Sequence, residues 1–143
     1  MVKEPNFTKY TKPDETLDLQ DDAAHIYMVG DWHMPTHEQA EELLDNTIQI
    51  GVGSGFKFVS FKDPSKYIFI PKAGLAYNGN TYYEEFDCYL WSSMLDSEDA
   101  YYASCLDCEG VDPCISRYAR NHWLPIRGVI DNKCDNTKEK KII

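Results

Sequence analysis

The residues able to do chemistry in this chain are its five cysteines, Cys88, Cys105, Cys108, Cys114 and Cys134, and its four histidines, His25, His33, His37 and His122. Cys105-Leu106-Asp107-Cys108 has the C-x-x-C spacing from which thiolates bind zinc, with Cys114 close by. A tetrahedral site would take its remaining ligand from Cys88, Cys134 or His122. A single C-x-x-C without a matching second pair does not specify that site, and free or paired cysteines in a variable loop are the simpler reading. A redox pair needs its thiolate at a helix N-terminus after a strand, and no βαβ pattern surrounds this one. A cysteine with His33, His37 or His122 could supply a nucleophile and a base, but nothing nearby supplies an orienting partner. His25, His33 and His37 lie among capping and turn residues and read as hydrogen-bonded packing elements. The expectation is a protein that is not an enzyme and needs no cofactor or metal.

Acidic and aromatic residues suggest a different use. Asp96, Glu98 and Asp99 follow Trp91-Ser92-Ser93, but calcium wants six to eight oxygens, and no Glu-Pro-Asn-like triplet of sugar-binding lectins occurs in the C-terminal half. Those acids read as a solvated loop. Tyr77, Tyr82, Tyr83, Tyr89, Tyr101, Tyr102 and Tyr118, mixed with Ser, Asn, Asp and Gly, have the composition of an antibody paratope, where tyrosine gives large contact area at low entropy cost. Some of these rings must cover the sheet. The expected ligand contacts are Tyr101, Asp107, Glu109, Asp112, Arg117, Tyr118, Asn121, His122 and Trp123, with Arg127 as an internal anchor.

The rest of the chain must position those residues. Its 143 residues and 16.5 kDa suit one domain and one core, with no internal repeat and no dividing linker. A net charge of -10 and a pI near 4.7 repel phosphate backbones and anionic headgroups, which argues against nucleic acid and membrane surfaces as partners. No apolar run is long enough to span a bilayer, and Met1 to Asn6 contain no apolar h-region. Two origins fit that beginning: a protein made inside a cell, such as a virion component assembled before lysis, or a chain from which a leader has been removed. An odd number of cysteines leaves at least one thiol unpaired within the chain.

The pattern predicts a polar arm over 1–16, a domain over 17–130 and a polar tail over 131–143. Leu17 and Leu19 alternate with polar residues like a short edge strand. Asp22 to Met28 read as a short helix, after which Trp32 and Met34 enter the core. Thr36-His37-Glu38-Gln39 has the form of a capping box, so a helix begins there and runs to about Asn46 on Ala40, Leu43 and Leu44. Thr47 to Phe61 read as a loop and a strand, and Asp63-Pro64-Ser65-Lys66 as a turn leading into the strand Tyr67-Ile70. Much of 75–123 reads as loop and short strand. Tyr89-Ser93 and Ile126-Ile130 have the composition of central strands.

Gly30-Asp31-Trp32-His33-Met34-Pro35-Thr36, Phe69-Ile70-Pro71-Lys72-Ala73-Gly74, Leu90-Trp91-Ser92-Ser93 and Ile126-Arg127-Gly128-Val129 form an ordered series. On these motifs the chain, from about Leu17 to Ile130, resembles the Fibrobacter succinogenes major paralogous domain family. That resemblance implies an α+β, C-type-lectin-like domain with short N-terminal helices, a small twisted, mostly antiparallel sheet and a loop-rich C-terminal half. The same fold is used by formylglycine-generating enzymes and by the variable proteins of diversity-generating retroelements. The cysteine pair of those enzymes cannot be assigned to any cysteines here. The chain departs from the family at Trp123, which follows Arg120-Asn121-His122 where a glycine is common. A Trp cannot adopt positive φ cheaply, so either the backbone differs there or the indole is held outward as a contact, with core filling as the other reading.

The expected function is therefore recognition or display. The chain would be a surface-exposed phage virion or fibre protein, binding carbohydrate or protein on a gut-bacterial host through its C-terminal half. A structural or decoration role in a capsid, tail or fimbria is the first rival, and a secreted bacterial adhesin the second. Homo-oligomers are common among such proteins.

Overall fold

The computed structural model describes residues 7–109 and 112–131. The chain folds as α+β, with few helices and small antiparallel sheets. After a 3-10 turn at Leu19–Asp21 comes α1 (Ala23–Tyr27). Its N-cap is Asp22, whose carboxylate accepts from the His25 N–H at 3.0 Å and from the Met34 N–H at 2.9 and 3.0 Å. One buried side chain thus starts the helix and fastens the strand-like segment that follows it. Met34 is buried as expected, whereas Trp32 is only half-buried and lies over Gly128. A Cβ on Gly128 would stand 3.1 Å from that indole and 2.5 Å from the Met28 sulfur, so two of the sequence motifs meet where only glycine fits.

Helix α2 (His37–Asp45) has the expected capping box: Thr36 Oγ1 accepts from the Gln39 N–H at 3.2 Å, and Gln39 Oε1 accepts from the Thr36 N–H at 3.1 Å. Gln39 also donates to Asp131 at 2.8 Å, tying the helix to the end of the domain. Strands β1 (Thr47–Val52), β2 (Gly55–Ser60) and β3 (Tyr67–Pro71) form an antiparallel sheet in that order. The expected loop after Thr47 is therefore a strand. Its Ile48 and Ile50 point to solvent, so the alternation lies on the face opposite the core. The turn before β3 forms as expected, with Asp63 accepting from both the backbone and the hydroxyl of Ser65.

Strands β4 (Leu75–Tyr77) and β5 (Asn80–Tyr82) form a hairpin whose two loop residues, Asn78 and Gly79, both have positive φ, 50° and 81°. That is the backbone of a type I′ turn, for which Asn-Gly is the preferred dipeptide. The last sheet is β6 (Tyr89–Leu95), β7 (Tyr102–Asp107) and β8 (Cys114–Ala119), again antiparallel. Two of its three strands lie where the sequence suggests mostly loop. Conversely, Ile126-Ile130 is no central strand: Val129 forms one bridge, to His33, and the segment has no other strand pairing among the described residues.

Two apolar clusters hold these layers together. Phe56, Phe58, Ile70, Cys88, Leu90, Leu106 and Cys108 join the first sheet to one face of the last, beneath Leu43 and Leu44 of α2. Leu75, Tyr89, Cys105 and Leu124 form the second, on the other face of β6–β8, with Tyr77, Trp91 and Tyr118 around it. Residues 7–16 lie against the domain. Arg120 donates to the carbonyls of Lys9, Tyr10 and Ala100 at 2.9, 2.7 and 3.1 Å, and its guanidinium covers the Phe7 ring at 3.9 Å.

Candidate functional site

Side chains alternate along a strand, so β7 and β8 offer one set of residues to the main core and another to the second cluster. On the second face Asp107 lies opposite both Tyr89 and Cys114, and Ala103 lies opposite Tyr118. Asp107 is 7% exposed, and its Oδ1 accepts from the Glu109 N–H at 2.8 Å, which turns the chain outward at the end of β7. The exposed Glu109 carboxylate accepts from the Tyr118 hydroxyl at 3.4 Å. Tyr118 packs edge-on against Tyr89 and His122, at 5.3 and 5.6 Å between centroids, and His122 stacks on Tyr77 at 4.4 Å. The His122 Nδ1 faces two acceptors, the Ala119 carbonyl at 3.2 Å and the Asn121 side-chain oxygen at 3.0 Å. The proton therefore sits on Nδ1 in the neutral ring, which leaves Nε2 as the acceptor.

Trp123 follows His122 in the chain and borders this face. Its N–H donates to Ala76 O at 2.7 Å, and the Ala76 N–H donates to Trp123 O at 2.9 Å, so its backbone is clamped to β4. Its side chain is nevertheless 78% exposed. The residue is thus not a core filler, and its φ is not positive.

The electrostatics of the face are those of acids crowded together. Burial, followed by the nearby Glu109 charge, pushes the Asp87 carboxyl above its ordinary value. Burial does the same to Asp107, with Glu109 and Asp87 adding to it against the one backbone hydrogen bond that Asp107 accepts. The Tyr89 phenol, 0% exposed, is held strongly in its neutral form, by burial first and by Tyr118 and the acids after it. Its hydroxyl lies near Tyr118 and Asp87 yet makes no well-formed hydrogen bond among the described residues. No lysine or arginine forms an ion pair with Asp87, Asp107 or Glu109 among the described residues.

No family model, curated protein or solved structure matches this chain.

Of the nine expected contact residues, the fold brings together Asp107, Glu109, Tyr118, Asn121 and His122, with the exposed Trp123 next in the chain. Asp112 is exposed in the connection before β8. Arg117 is on the opposite face of β8 from Tyr118, where it donates to Asp96 at 2.7 Å and covers the Tyr102 ring at 4.6 Å. Tyr101 lies with the arm, its ring 5.7 Å from that of Phe7. Asp87, Tyr89 and Tyr77 belong to the site although the contact set above omits them. The two tyrosines are in the paratope-like run, while Asp87 carries no sequence signal because only the turn at Gly74, whose N–H donates to Asp87 O at 3.0 Å, brings it there.

Among the described residues the C-x-x-C thiols do not converge. Cys105 is in the second cluster, while Cys108 packs with Cys88 in the first, because residues three apart on extended chain face opposite ways. The Cys88 thiol alongside it, together with burial, keeps Cys108 protonated, and burial first keeps Cys105 so. Cys134 lies outside the described residues. Among those residues no group of three or more His, Cys, Asp or Glu is spaced to hold a metal ion. Asp96 is occupied: burial works to raise its carboxyl, but Arg117 and the N–H groups of Glu98 and Asp99 outweigh it and hold the group below its ordinary value. His25, His33 and His37 all make hydrogen bonds, to Trp32 O, Met34 O and Ser104 Oγ, in keeping with packing roles. Arg127 is half-buried and reaches Phe69 O at 3.4 Å. A cavity of about 170 Å³ lies between the arm and β6, lined by Tyr10, Glu15, Leu17, Met34, Ala103 and Arg120 among others.

Proposed function

We propose that this chain is a non-catalytic recognition module of C-type-lectin-like fold, displayed on a surface such as a phage virion or fibre, which contacts carbohydrate or protein on its host through the face bearing Trp123. The observation that carries this reading is the Trp123 indole itself, 78% exposed on a backbone fastened by two hydrogen bonds. Leaving a large aromatic ring in water contributes nothing to folding. A rigid, amphipathic ring beside other aromatic and polar side chains is what binding hot spots are made of. Tyr118 and the Tyr77/His122 stack extend the same surface with few rotamers to freeze on binding. The α+β architecture, with its helices among the described residues lying before β1 and its sheets small and antiparallel, is the kind of scaffold the lectin-like reading requires.

The test is a glycan array and a host-cell binding assay on purified protein, with and without a chelator, against a Tyr118/His122/Trp123 triple-alanine variant. The expected result is saturable binding by the wild type, indifferent to the chelator and lost in a variant that still folds. Equal binding by the two proteins would overturn the reading.

A further inference from the structure

Cys88 and Cys108 stand across from one another at one end of the β6–β7 ladder. Tyr89 is paired with Asp107 and Leu90 with Leu106, so the next pair in the same antiparallel register is Cys88 with Cys108. The Cys108 N–H donates to Cys88 O at 2.9 Å, which continues the ladder to this pair. Residues directly opposite in an antiparallel pair point to the same face. Both side chains accordingly enter the first apolar cluster, at 0% and 1% exposure.

In a hydrogen-bonded antiparallel pair the Cα atoms are about 5.5 Å apart, inside the window of about 4.4–6.8 Å that a disulfide spans. The Cβ atoms, at about 4.5–5.5 Å, need to draw together by about 1 Å to reach the spacing of a relaxed bond. The end of the ladder allows that movement. Only one of the two bonds of a full pair is made there, since among the described residues the Cys88 N–H does not return to Cys108 O, and both cysteines lie just outside their strands. Cys105 and Cys114 are not placed to compete. Cys105 is in the second cluster, and Cys114 is paired with Asp107, the neighbour of Cys108 whose side chain takes the opposite face.

We propose that Cys88 and Cys108 form a disulfide that staples β6 to β7 at the end bearing Asp107 and Glu109, with a small-molecule disulfide such as oxidised glutathione as the oxidant. One protein thiolate attacks the small disulfide, forms a mixed disulfide and expels one small thiolate. The second protein thiolate attacks the protein sulfur of that mixed disulfide, forming the Sγ–Sγ bond and expelling the other small thiolate. Two protein thiols are oxidised, one small disulfide is reduced to two thiols, and the two protein protons end on the leaving thiolates. Both attacks need a thiolate, and in the closed core the neighbouring thiol and burial keep Cys108 protonated. The bond therefore forms while the chain folds, before the cluster closes over it. It does not depend on the recognition reading above, and it holds the end of β7 whatever that face contacts.

The test refolds reduced, unfolded full-length protein in a glutathione redox buffer, traps the remaining thiols with N-ethylmaleimide in denaturant and maps the peptides by mass spectrometry. A cross-linked peptide pair joining Cys88 to Cys108 is expected as the dominant disulfide. Folded, reduced protein in the same buffer should form it at least about tenfold more slowly. The oxidised protein should melt about 5–15 °C above the same preparation kept reduced, because the bond closes a loop of about 20 residues. Cys88 and Cys108 both trapped as thiols after refolding, or joined to other cysteines as often as to each other, would overturn the proposal. So would an oxidised form that melts no higher than the reduced one.

Discussion

Asp22 and Asp107 are both buried, 2% and 7% exposed, and their surroundings are opposite in character. Asp22 faces backbone N–H groups of two residues, which its oxygens accept at 2.9 to 3.0 Å, and it lies where the N-terminal motifs meet. Asp107 accepts one backbone hydrogen bond and shares its space with two further acids and an unsatisfied phenol. The first arrangement stabilises the fold. The second costs stability unless something else arrives to balance it. The contrast extends to the regions around them, because the N-terminal part uses its polar groups internally, whereas the face of β6–β8 holds acids, a histidine nitrogen and an indole ready for contact. Sites that violate folding rules locally are where function is expected.

The sharpest way to break this contrast is to substitute Asp22. Asp22→Ala strands the Met34 and His25 donors and removes a helix cap, with an expected loss of about 2–4 kcal/mol in urea denaturation. A loss below about 0.5 kcal/mol would show that the N-terminal region does not depend on that network. Gly74→Ala comes next. Gly74 has φ +66°, and a Cβ there would fall 2.2 Å from Tyr82 O, so about 1–3 kcal/mol is expected in the same measurement, with displaced Asp87 and Tyr89 amide resonances.

The smallest stability effect, opposite in sign, is expected at Asp107. Its folded-state pKa is raised above the unfolded value, so its contribution favours folding below the unfolded pKa and is lost as pH rises through the folded one. At neutral pH the ionised group is therefore a handicap, as it is for Asp87. Cys105, Cys114, Tyr89 and Tyr118 face it from β6, β7 and β8, and Lys72 lies on the Asp87 side. Asp107→Asn keeps the oxygen that accepts from Glu109 and should raise stability at pH 7 by less than about 1 kcal/mol, a gain that disappears below about pH 4. Thermal melts across that range read it. A pH-independent loss would make Asp107 a structural residue like Asp22.

Much of the scaffold was legible in the sequence because local rules govern it. The capping box at Thr36 and Gln39, the Asp63 turn and the strand after it each depend on neighbours within a few residues. Strand β1 escaped because its isoleucines face water, and β7 and β8 because serines, cysteines and a tyrosine replace the usual β-branched run. Asn78-Gly79 is a hairpin signal in plain view and fixes where Tyr77 stands. Period-two alternation alone separates Arg117 from Tyr118 and Cys105 from Cys108, once the segment is known to be extended. Asp87 could not be found that way, since only the fold around Gly74 brings it to Asp107.

The central claim is that Trp123 stands in water in order to touch something else. The most direct measurement is the host-cell binding isotherm of Trp123→Ala beside that of the wild type, with melting temperatures recorded on the same preparations. A fall in affinity of about tenfold or more with a stability change within about 0.5 kcal/mol is the predicted result. Unchanged affinity, or a loss of stability matching any loss of binding, would contradict it.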